Sequence, residues 1–360
     1  MKNNILIIAP PFKILPTDGY GAVEKITIAR GKALKQAGYS VSYIAPRGSK
    51  IAFADEIFFV NPIKPFGFKM TDRTRFVDQF DLGMLRFFRE FSKLKKGLDF
   101  DVIINDFTRS DPFNLYNFHR ILGSLNRIDI LHGNTKIALI FRRPKKFLSQ
   151  TLGVLNTRLH EKLSANGWIS AYFPNGIEFP NKDRILQEPD DQMIFIGRFA
   201  PFKGAHDAIR IASMMKSKIY LFGWIQDADY FEKIIKPLID SVNVIFMGNQ
   251  KWEIVVEYLR KSKALLFCSN YSDPQPTVLL EAISYGVPIL GVKPGFYSGY
   301  FDICDESNSV VCDFLSDPKQ WAAKLNSLDR LEIYKRAKDK WSWERVVDGF
   351  YKEVFAQLPS

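Results

Sequence analysis

Short apolar runs and longer amphipathic stretches alternate along the chain. The first such unit consists of the apolar run Ile5–Ala9, a polar loop, an amphipathic stretch over Ala22–Ala37 that stops at Gly38, and a second apolar run, Val41–Ala45. A short apolar run bounded by turn residues is typical of a buried strand, and a helix between two such runs indicates a βαβ unit. The pattern therefore predicts an α/β fold with parallel sheets.

The same alternation continues through the rest of the sequence. Further strands are predicted at the apolar runs Asp101–Asn105, Ile128–His132, Met193–Ile196, Ile219–Phe222, Val244–Met247, Ala264–Cys268 and Pro288–Val292. Helices are predicted over 72–96, within 137–162, over His206–Met215, from about Val278 to just before Gly286, and over Asp329–Leu358. The stretches 72–96 and 137–162 carry many Arg and Lys residues between their apolar positions, so each is expected to be an amphipathic helix with a basic face.

A polar stretch near the middle of the chain, from Pro180 to Asp191, separates two series of alternating elements. The chain has 360 residues, enough for two domains that each bury a core. We therefore expect two Rossmann-like domains that face each other across a cleft, with the boundary at about residue 180.

Charge is distributed unevenly between the two halves. The chain carries 50 Lys and Arg against 39 Asp and Glu, a net charge of +11. The first 170 residues hold 27 basic and 14 acidic residues, whereas the remainder holds 23 basic and 25 acidic ones. This excess favours an anionic partner of the first half, which could be nucleic acid, an acidic membrane surface or an acidic acceptor. A basic surface that contacts only water is the alternative.

Composition excludes several classes of protein. Hydrophobic residues make up 46% of the chain and charged residues 25%, which excludes a disordered, collagen-like or coiled-coil protein. The run Ile5–Ala9 is shorter than both the ~20 residues of a membrane-spanning helix and the apolar part of a signal peptide, so we expect a cytoplasmic protein. The cysteines, Cys268, Cys304 and Cys312, form no CxxC pair, so neither a disulfide framework nor a structural zinc site is expected.

Two strand-to-helix turns have the composition of anion sites. Gly19-Tyr20-Gly21-Ala22 opens the first predicted helix, and Gly197–Gly204, which contains Arg198 and Lys203, follows a predicted strand. Glycine lets a phosphate approach the backbone, the N–H groups of a helix start face it, and two cations could neutralise a diphosphate. The alternatives are an ordinary tight turn in the first case and a basic surface loop in the second.

Two carboxylates and one histidine are further candidates. Asp273 lies in a predicted loop and Glu281 in the helix that follows, so Glu281 could accept a hydrogen bond from a ribose hydroxyl while Asp273 holds another part of the ligand. Glu281 stands among apolar neighbours, and we expect it to be partly buried. His132 ends a predicted strand, which is where such sheets bind ligands, although a lone histidine is more often structural. No spacing in the sequence suits a metal cluster.

Several further segments form a set of motifs with those already described. The set is Gly197–Gly204, Asp273–Glu281 followed by Gly286-Val287-Pro288, Pro174–Glu178, Tyr20–Glu24, Met247–Asn249 and Trp341–Glu344. Together they resemble motifs of glycosyltransferase family 4, a family of retaining, nucleotide-sugar-dependent enzymes with the GT-B fold. The resemblance spans nearly the whole chain, and the order and spacing of the motifs make it specific. It implies an acceptor-side domain over 1–180, a donor-binding domain over 181–343, and a last helix at about 344–360 that packs back on the first domain.

The resemblance also implies roles for single residues. Arg198 and Lys203 would hold the donor's diphosphate, Glu281 its ribose and Asp273 its sugar, while His132 would lie near the reacting centre. The implied catalytic residues are His132, Arg198, Lys203 and Asp273. The implied substrate-binding residues are Gly21, Ala22, Arg198, Lys203, Gly248, Asn249, Asp273, Gln275, Pro276, Thr277, Val278 and Glu281. Pro276 has no N–H to donate to a ligand, whereas Gln275 and Thr277 do.

The activity that the resemblance implies is transfer of a sugar from a UDP- or GDP-sugar to a hydroxyl acceptor, with retention and without a metal or other cofactor. A cell-envelope glycan, a lipid-linked acceptor or a polysaccharide is the expected acceptor. The basic stretches 72–96 and Arg142–Lys146 would dock on an acidic membrane surface at the inner face of the membrane, or be a solvated face. The alternative function is a non-catalytic nucleotide-sugar or nucleic-acid binding protein, although no dedicated nucleic-acid motif occurs and no nucleic-acid partner is expected.

Overall fold

The computed structural model describes residues 3–17, 21–63, 86–94, 99–107, 126–133 and 151–358. These residues form two compact units. Unit 1 comprises Met1–Asn175 and Val346–Ser360, and unit 2 comprises Gly176–Arg345. The chain first passes from unit 1 to unit 2 between Asn175 and Gly176. The sequence predicts this boundary about five residues later, at about residue 180.

Strands and helices alternate through both units. The described strands are β1 (Asn4–Ile8), β2 (Ser40–Pro46), β3 (Ile57–Val60), β4 (Val102–Asn105), β5 (Arg127–Leu131), β6 (Thr151–Val154), β7 (Ser170–Tyr172), β8 (Gln192–Ile196), β9 (Lys218–Phe222), β10 (Val244–Gly248), β11 (Ala264–Phe267), β12 (Ile289–Gly291) and β13 (Ser309–Val311). The described helices are α1 (Ala22–Gln36), α2 (86–94), α3 (Thr157–Ala165), α4 (Ala205–Met214), α5 (Ala228–Tyr230), α6 (Trp252–Lys261), α7 (Thr277–Ser284), α8 (Tyr300–Ile303), α9 (Pro318–Asn326), α10 (Arg330–Trp341), α11 (Trp343–Val346) and α12 (Lys352–Gln357).

Each unit is built on one parallel sheet. The sheet of unit 1 has the strand order β3-β2-β1-β4-β5-β6-β7, and that of unit 2 has the order β10-β9-β8-β11-β12-β13. In both, the first strand of the unit lies in the middle and the chain then winds outwards on either side. The strand order reverses between β1 and β4 and between β8 and β11, and doubly wound sheets bind ligands beyond the carboxyl ends of the strands at such points. The predicted α/β class with two Rossmann-like domains is confirmed.

Apolar side chains of the strands form the cores. In unit 1, residues of β1, β2 and β4 pack against buried phenylalanines of α2, among them Phe87 and Phe91. In unit 2, α4 lays Ala208 and Ile211 on strands β8 and β9, and Phe199 lies in the same cluster. Spacings of three and four residues place the apolar side chains of these helices on one face, which explains why the chain is helical there.

Two predicted helices differ from the structure. Within 137–162, residues 137–150 lie outside the described part, Thr151–Val154 is strand β6, and helix begins only at Thr157. The segment Thr151–Val154 contains Thr, Gly and Val, which disfavour helix, and Gly153 packs against the isoleucines of β5. The helix expected over Asp329–Leu358 is interrupted at Ser342, where the backbone is extended and Ile177 N–H donates to Trp341 O over 2.8 Å.

Other differences concern short or partly described elements. Strands β3, β7 and β13 were not predicted; each is short and has a partly exposed burial pattern, whereas the equally short β4, β11 and β12 are fully buried. The predicted helix over 72–96 is helical over 86–94, and its remaining residues lie outside the described part of the chain. Among the described residues, no helix combines the length and the apolar character needed to span a bilayer.

Candidate functional site

Arg198 lies in the loop at the carboxyl end of β8, beside the point where the strand order of unit 2 reverses. This loop is tied to the loop after β9, because Phe199 N–H donates to Trp224 O over 3.0 Å and Gln226 N–H donates to Phe199 O over 3.2 Å. The Phe199 side chain is fully buried in the core. Backbone pairing and one buried ring therefore fix the position of Arg198 at the sheet edge.

The Arg198 side chain is half-buried and makes two contacts. Its Nη1 donates to Gln226 Oε1 over 2.7 Å. Its guanidinium carbon lies 5.4 Å from the centre of the Phe202 ring, within the range of a cation–π interaction. Neither of these partners is charged, so neither offsets the positive charge of the guanidinium.

Lys203 and Asp273 form an ion pair in the same unit. Lys203 Nζ lies 2.9 Å from Asp273 Oδ2, and the two side chains are 15% and 26% exposed. Lys203 Nζ also lies 5.9 Å from the centre of the Tyr271 ring, which in turn lies 5.7 Å from the Phe202 ring. Two contacting aromatic rings thus connect Arg198, Lys203 and Asp273, so three of the predicted catalytic residues form one cluster.

Gly204 allows this cluster to sit close to β11. Its φ is +69°, and a Cβ atom there would lie 2.2 Å from Cys268 O, which follows β11. Asn270 N–H donates to Phe202 O over 3.1 Å, which ties the loop that leads to Asp273 to the loop that carries Lys203. The glycine is therefore required both for the turn and for the close approach of the two loops.

Helix α7 presents the other predicted residues of the Asp273 segment. Pro276 precedes the helix, and Thr277 is its first residue. Thr277 and Glu281 are four positions apart, so both lie on one face, and both are half-buried. Gln275 is buried before the helix starts. Glu281 is half-buried as predicted, and the accessible face of α7 carries a hydroxyl and a carboxylate.

The predicted residues Gly248 and Asn249 lie at the end of β10, on the same edge of the sheet. Gly248 O accepts from Gly223 N–H over 2.9 Å, and Gly197 N–H donates to Phe222 O over 2.9 Å. The ends of β8, β9 and β10 are thus aligned by successive backbone hydrogen bonds. This alignment gives the edge that carries Arg198 a fixed shape.

In unit 1, Gly21 precedes α1 and Ala22 is the first residue of the helix. Lys25 N–H donates to Gly21 O over 2.9 Å, which begins the helical hydrogen bonding. A Cβ atom on Gly21 would lie 2.8 Å from Thr17 Cγ2, so a larger residue would force the Thr17 side chain to shift. The predicted helix start is confirmed at this point, whereas residues 18–20 of the loop lie outside the described part.

A buried charged network follows β4 in the same unit. Asp106 comes directly after this strand and forms an ion pair with Arg30 of α1, and both side chains are 0% exposed. Arg30 also donates from Nε to Tyr351 Oη over 3.0 Å and from Nη2 to Asn175 Oδ1 over 2.6 Å. Burial would raise the pKa of Asp106, but the charge of Arg30 and the contact with His132 outweigh it and lower the pKa to about 2.

His132 is held by this network. Its Nε2 lies 2.8 Å from Asp106 Oδ1, and its side chain is 10% exposed. Because Asp106 is ionised at neutral pH, it accepts a hydrogen bond, so Nε2 carries the proton. When the ring is neutral, Nδ1 is then the nitrogen that can accept a hydrogen bond from a ligand hydroxyl.

Sequence reasoning missed Asp106, Arg30 and Gln226. Asp106 directly follows a predicted strand, and the rule that identified His132 would have identified it as well. Arg30 shares the buried face of α1 with Thr27 and Leu34, and a cation at such a position is a signal for a buried partner. Gln226 gave no signal, because its contact with Arg198 depends on how two loops align.

Among the described residues, no group of His, Cys, Asp and Glu is arranged to hold a metal ion.

A protein family and a known protein both match the sequence of this chain. Residues 178–340 match the family Glycosyl transferases group 1. A Haemophilus influenzae protein described as an uncharacterized glycosyltransferase is 23% identical over 302 residues, which cover 78% of this chain and 79% of that protein.

Solved structures resemble the chain over nearly its whole length. Sucrose-phosphate synthase from Thermosynechococcus elongatus has a TM-score of 0.70 at 15% identity, covering 99% of this chain and 100% of that one. Anabaena HepE, solved in complex with UDP-glucose, has a TM-score of 0.66 at 12% identity, covering 98% and 99%. The pneumococcal O-GlcNAc transferase GtfA, solved with UDP and GlcNAc, has a TM-score of 0.68 at 13% identity, covering 99% of both chains. Residues 178–340 thus resemble a glycosyl transferases group 1 domain, and the chain has the GT-B fold of these solved structures, so the findings together support a glycosyltransferase.

Proposed function

We propose that the protein transfers a sugar from a UDP- or GDP-sugar to a hydroxyl acceptor, with retention of configuration at the anomeric carbon. The observation that carries the proposal is the cluster of Arg198 and Lys203 at the carboxyl edge of the unit 2 sheet, beside the reversal of strand order. Two cations at this place match the charge of a nucleoside diphosphate.

In the proposed reaction, Arg198 and Lys203 bind the diphosphate and stabilise the negative charge that develops as it leaves the sugar. Charge that grows during the reaction is stabilised more strongly in the transition state than in the ground state, which raises the rate. With two fixed cations in this role, the reaction needs no metal ion. The leaving diphosphate would help to take the proton from the acceptor hydroxyl.

The other residues of the cluster would orient the donor. Glu281, on the accessible face of α7 with Thr277, would accept hydrogen bonds from the ribose. Asp273 shares only Oδ2 with Lys203 in the ion pair, so Oδ1 would accept from a sugar hydroxyl. Gly248 and Asn249, at the end of β10, would contact the base.

In unit 1, His132 would contact the donor sugar close to the reacting carbon. Its Nδ1 would accept a hydrogen bond from a sugar hydroxyl, since Nε2 is engaged by Asp106. Gly21, which precedes α1, would approach the phosphate or the acceptor.

The comparisons support a nucleotide-sugar donor. Structures of this fold have been solved with UDP-glucose and with UDP and GlcNAc. The acceptor that we propose is a glycan of the cell envelope, a lipid-linked acceptor or a polysaccharide, because the basic first half of the chain favours an acidic acceptor or an acidic surface.

The test is a screen of UDP-, GDP-, ADP- and dTDP-sugars in the presence of a chelator, with release of the nucleoside diphosphate as the readout. We expect turnover with a UDP- or GDP-sugar, and a fall of about 10²–10³ in rate for Arg198→Ala and for Lys203→Ala, as for loss of one oxyanion donor. Lys233→Ala is the matched control, because it removes one positive charge from a 72% exposed side chain in the same unit.

Near-full turnover by both Arg198→Ala and Lys203→Ala would contradict the assignment of the diphosphate site. Nucleotide-sugar binding without any turnover, across a panel of glycan and lipid-linked acceptors, would instead favour a binding protein on the same fold. Once an acceptor is found, NMR of the new glycosidic bond tests retention.

A further inference from the structure

Arg198 and Lys203 are held by different kinds of partner. Lys203 faces a carboxylate, Asp273 Oδ2, at 2.9 Å, whereas Arg198 faces an amide oxygen, Gln226 Oε1, at 2.7 Å. A carboxylate neutralises much of the charge of its partner, and an amide oxygen fixes a direction without doing so. The two cations of the cluster therefore differ in the charge that they offer to an anion.

The backbone places Gln226 opposite Arg198. Phe199 N–H donates to Trp224 O, and both Gln226 N–H and Asp227 N–H donate to Phe199 O, over 3.0–3.2 Å. These bonds extend the pairing of β8 and β9 beyond the ends of the strands. The backbone segments that carry residues 198 and 226 are thus tied together by groups that belong to neither side chain.

The side chains complete a clamp on the guanidinium. Gln226 binds one edge of the guanidinium through Nη1, and the guanidinium carbon lies 5.4 Å from the centre of the Phe202 ring. These two contacts restrict the orientation of the planar group, and its remaining N–H groups then point in directions fixed by the plane. A free arginine side chain would instead lose rotamer entropy when it binds a ligand.

We infer that Gln226 is a positioning residue that orients Arg198 toward a diphosphate while leaving its charge intact. The inference rests on the proposed function, since it takes Arg198 as a diphosphate contact. Gln226 is exposed and its hydrogen bond lies at the surface, so its loss has little effect on folding.

The inference predicts a selective loss of affinity for diphosphates. Isothermal titration of the full chain with UDP, UMP, GDP and GMP gives the ratio of monophosphate to diphosphate dissociation constants. Gln226→Ala should weaken binding of UDP or GDP about 10-fold and change that of UMP or GMP less than about 2-fold, since the lost contact orients a charged hydrogen-bond donor. Gln226→Glu should weaken diphosphate binding further, because its carboxylate would pair with Arg198 and repel the phosphate.

Controls separate positioning from a structural role. Gln226→Ala should unfold at the same temperature as the unaltered protein, and Gln320→Ala, which removes an exposed glutamine of α9, should change neither stability nor the ratio. In an Arg198→Ala background, Gln226→Ala should have no additional effect, because its only route to the ligand is removed. An effect that persists in that background overturns the inference.

The outcomes also distinguish this inference from the proposed function. If Arg198→Ala weakens diphosphate binding but neither Gln226 variant changes the ratio, only the positioning role is overturned. If Arg198→Ala leaves diphosphate affinity unchanged, the assignment of Arg198 fails, and the role of Gln226 fails with it. Absence of binding of both UDP and GDP to the unaltered protein would contradict both.

Discussion

Arg30 and Asp106 form an ion pair from which water is excluded, and the groups around them account for its stability. Moving two charges out of water is costly unless their remaining hydrogen-bonding positions are occupied. Arg30 donates to Asp106, Asn175 and Tyr351, and Asp106 accepts from both Arg30 and His132. At the scale of residues, the network therefore holds the imidazole of His132 in one tautomer by means of a carboxylate that is always ionised near neutral pH.

Asp106→Asn should destabilise the protein by about 3–5 kcal/mol at pH 7, because it leaves the charge of Arg30 buried without a counter-ion. The ion pair lowers the pKa of Asp106 to about 2, from the ordinary 3.8 of an aspartate, and this shift gives the pH dependence. A carboxyl group whose pKa is lower in the folded than in the unfolded protein stabilises the fold. This stabilisation is fully present above the pKa of the unfolded state, and it is lost as the pH falls through the pKa of the folded state. The free energies of unfolding of the two proteins, measured with urea, should therefore approach each other as the pH falls from about 4 toward about 2.

Asp55→Asn is the matched control for this substitution. Asp55 is 41% exposed, lies in the same unit and pairs with Lys35 at the surface, so its loss should cost less than about 1 kcal/mol. Equal stabilities of Asp106→Asn and Asp55→Asn at pH 7 would contradict the importance of the buried pair.

At the scale of elements, the loops after β8 and β11 approach each other because α4 is preceded by Gly204. The carbonyl of Cys268 occupies the position where any other residue would place its Cβ atom. This contact brings the loop of Asp273 to the loop of Lys203, and it explains why the two side chains can pair across 70 residues of sequence.

Backbone strain alone at a residue with positive φ costs about 1–3 kcal/mol. Gly204→Ala should destabilise unit 2 by more than this, because the Cys268 carbonyl must also move. Gly248→Ala is the matched control: its φ is +68° against +69° for Gly204, and its Cβ atom would meet nothing closer than 3.7 Å. Chemical unfolding of both variants measures the difference. Equal losses would show that the close contact with Cys268 relaxes at no cost.

The pattern of the sequence predicted elements that bury a continuous apolar run, such as β1, β8 and α7. It did not predict β13, which has three residues and lies at a sheet edge. Nor did this pattern predict the interruption at Ser342, where the extended backbone pairs with the distant Ile177, although the family resemblance implied a last helix that starts at about residue 344. Local patterns cannot report pairing between distant segments.

The residues of the candidate site also fall into those that the sequence predicts and those that only the structure reveals. Arg198, Lys203, Asp273 and His132 follow strand ends or belong to recognisable motifs, so the sequence alone singled them out. Gln226 and Arg30 act through side-chain contacts that arise only after loops and helices have packed. Gln226 carries no local signal of its contact, and the position of Arg30 on the apolar face of α1 indicates a buried partner without saying which one.

At the scale of the whole molecule, positive charge is concentrated in the first 170 residues, whereas the rest of the chain is nearly neutral. We propose that this half binds an acidic membrane surface through its basic stretches. Each Lys or Arg near an anionic surface contributes about 1 kcal/mol, so a cluster such as Arg142–Lys146 would suffice to recruit the protein.

Flotation with vesicles tests this proposal. The protein should float with vesicles that contain anionic lipid and should remain behind with neutral ones, and added salt should weaken the binding. Replacing Arg142, Arg143, Lys145 and Lys146 by Glu should abolish flotation. Replacing Lys233 and Lys236, which are 72% and 61% exposed in unit 2, should leave it unchanged. Flotation that does not depend on lipid charge would refute the proposal.

The return of residues 346–360 to unit 1 has a consequence for the order in which the protein matures. Domains generally fold as they emerge from the ribosome, the N-terminal one first. Here unit 2 is contiguous in sequence, whereas unit 1 awaits Tyr351, which stacks on Phe173 and accepts from Arg30. Unit 1, whose first part is translated before unit 2, is therefore completed after it, and the buried arginine acquires its full set of partners only once residues 176–345 have been made.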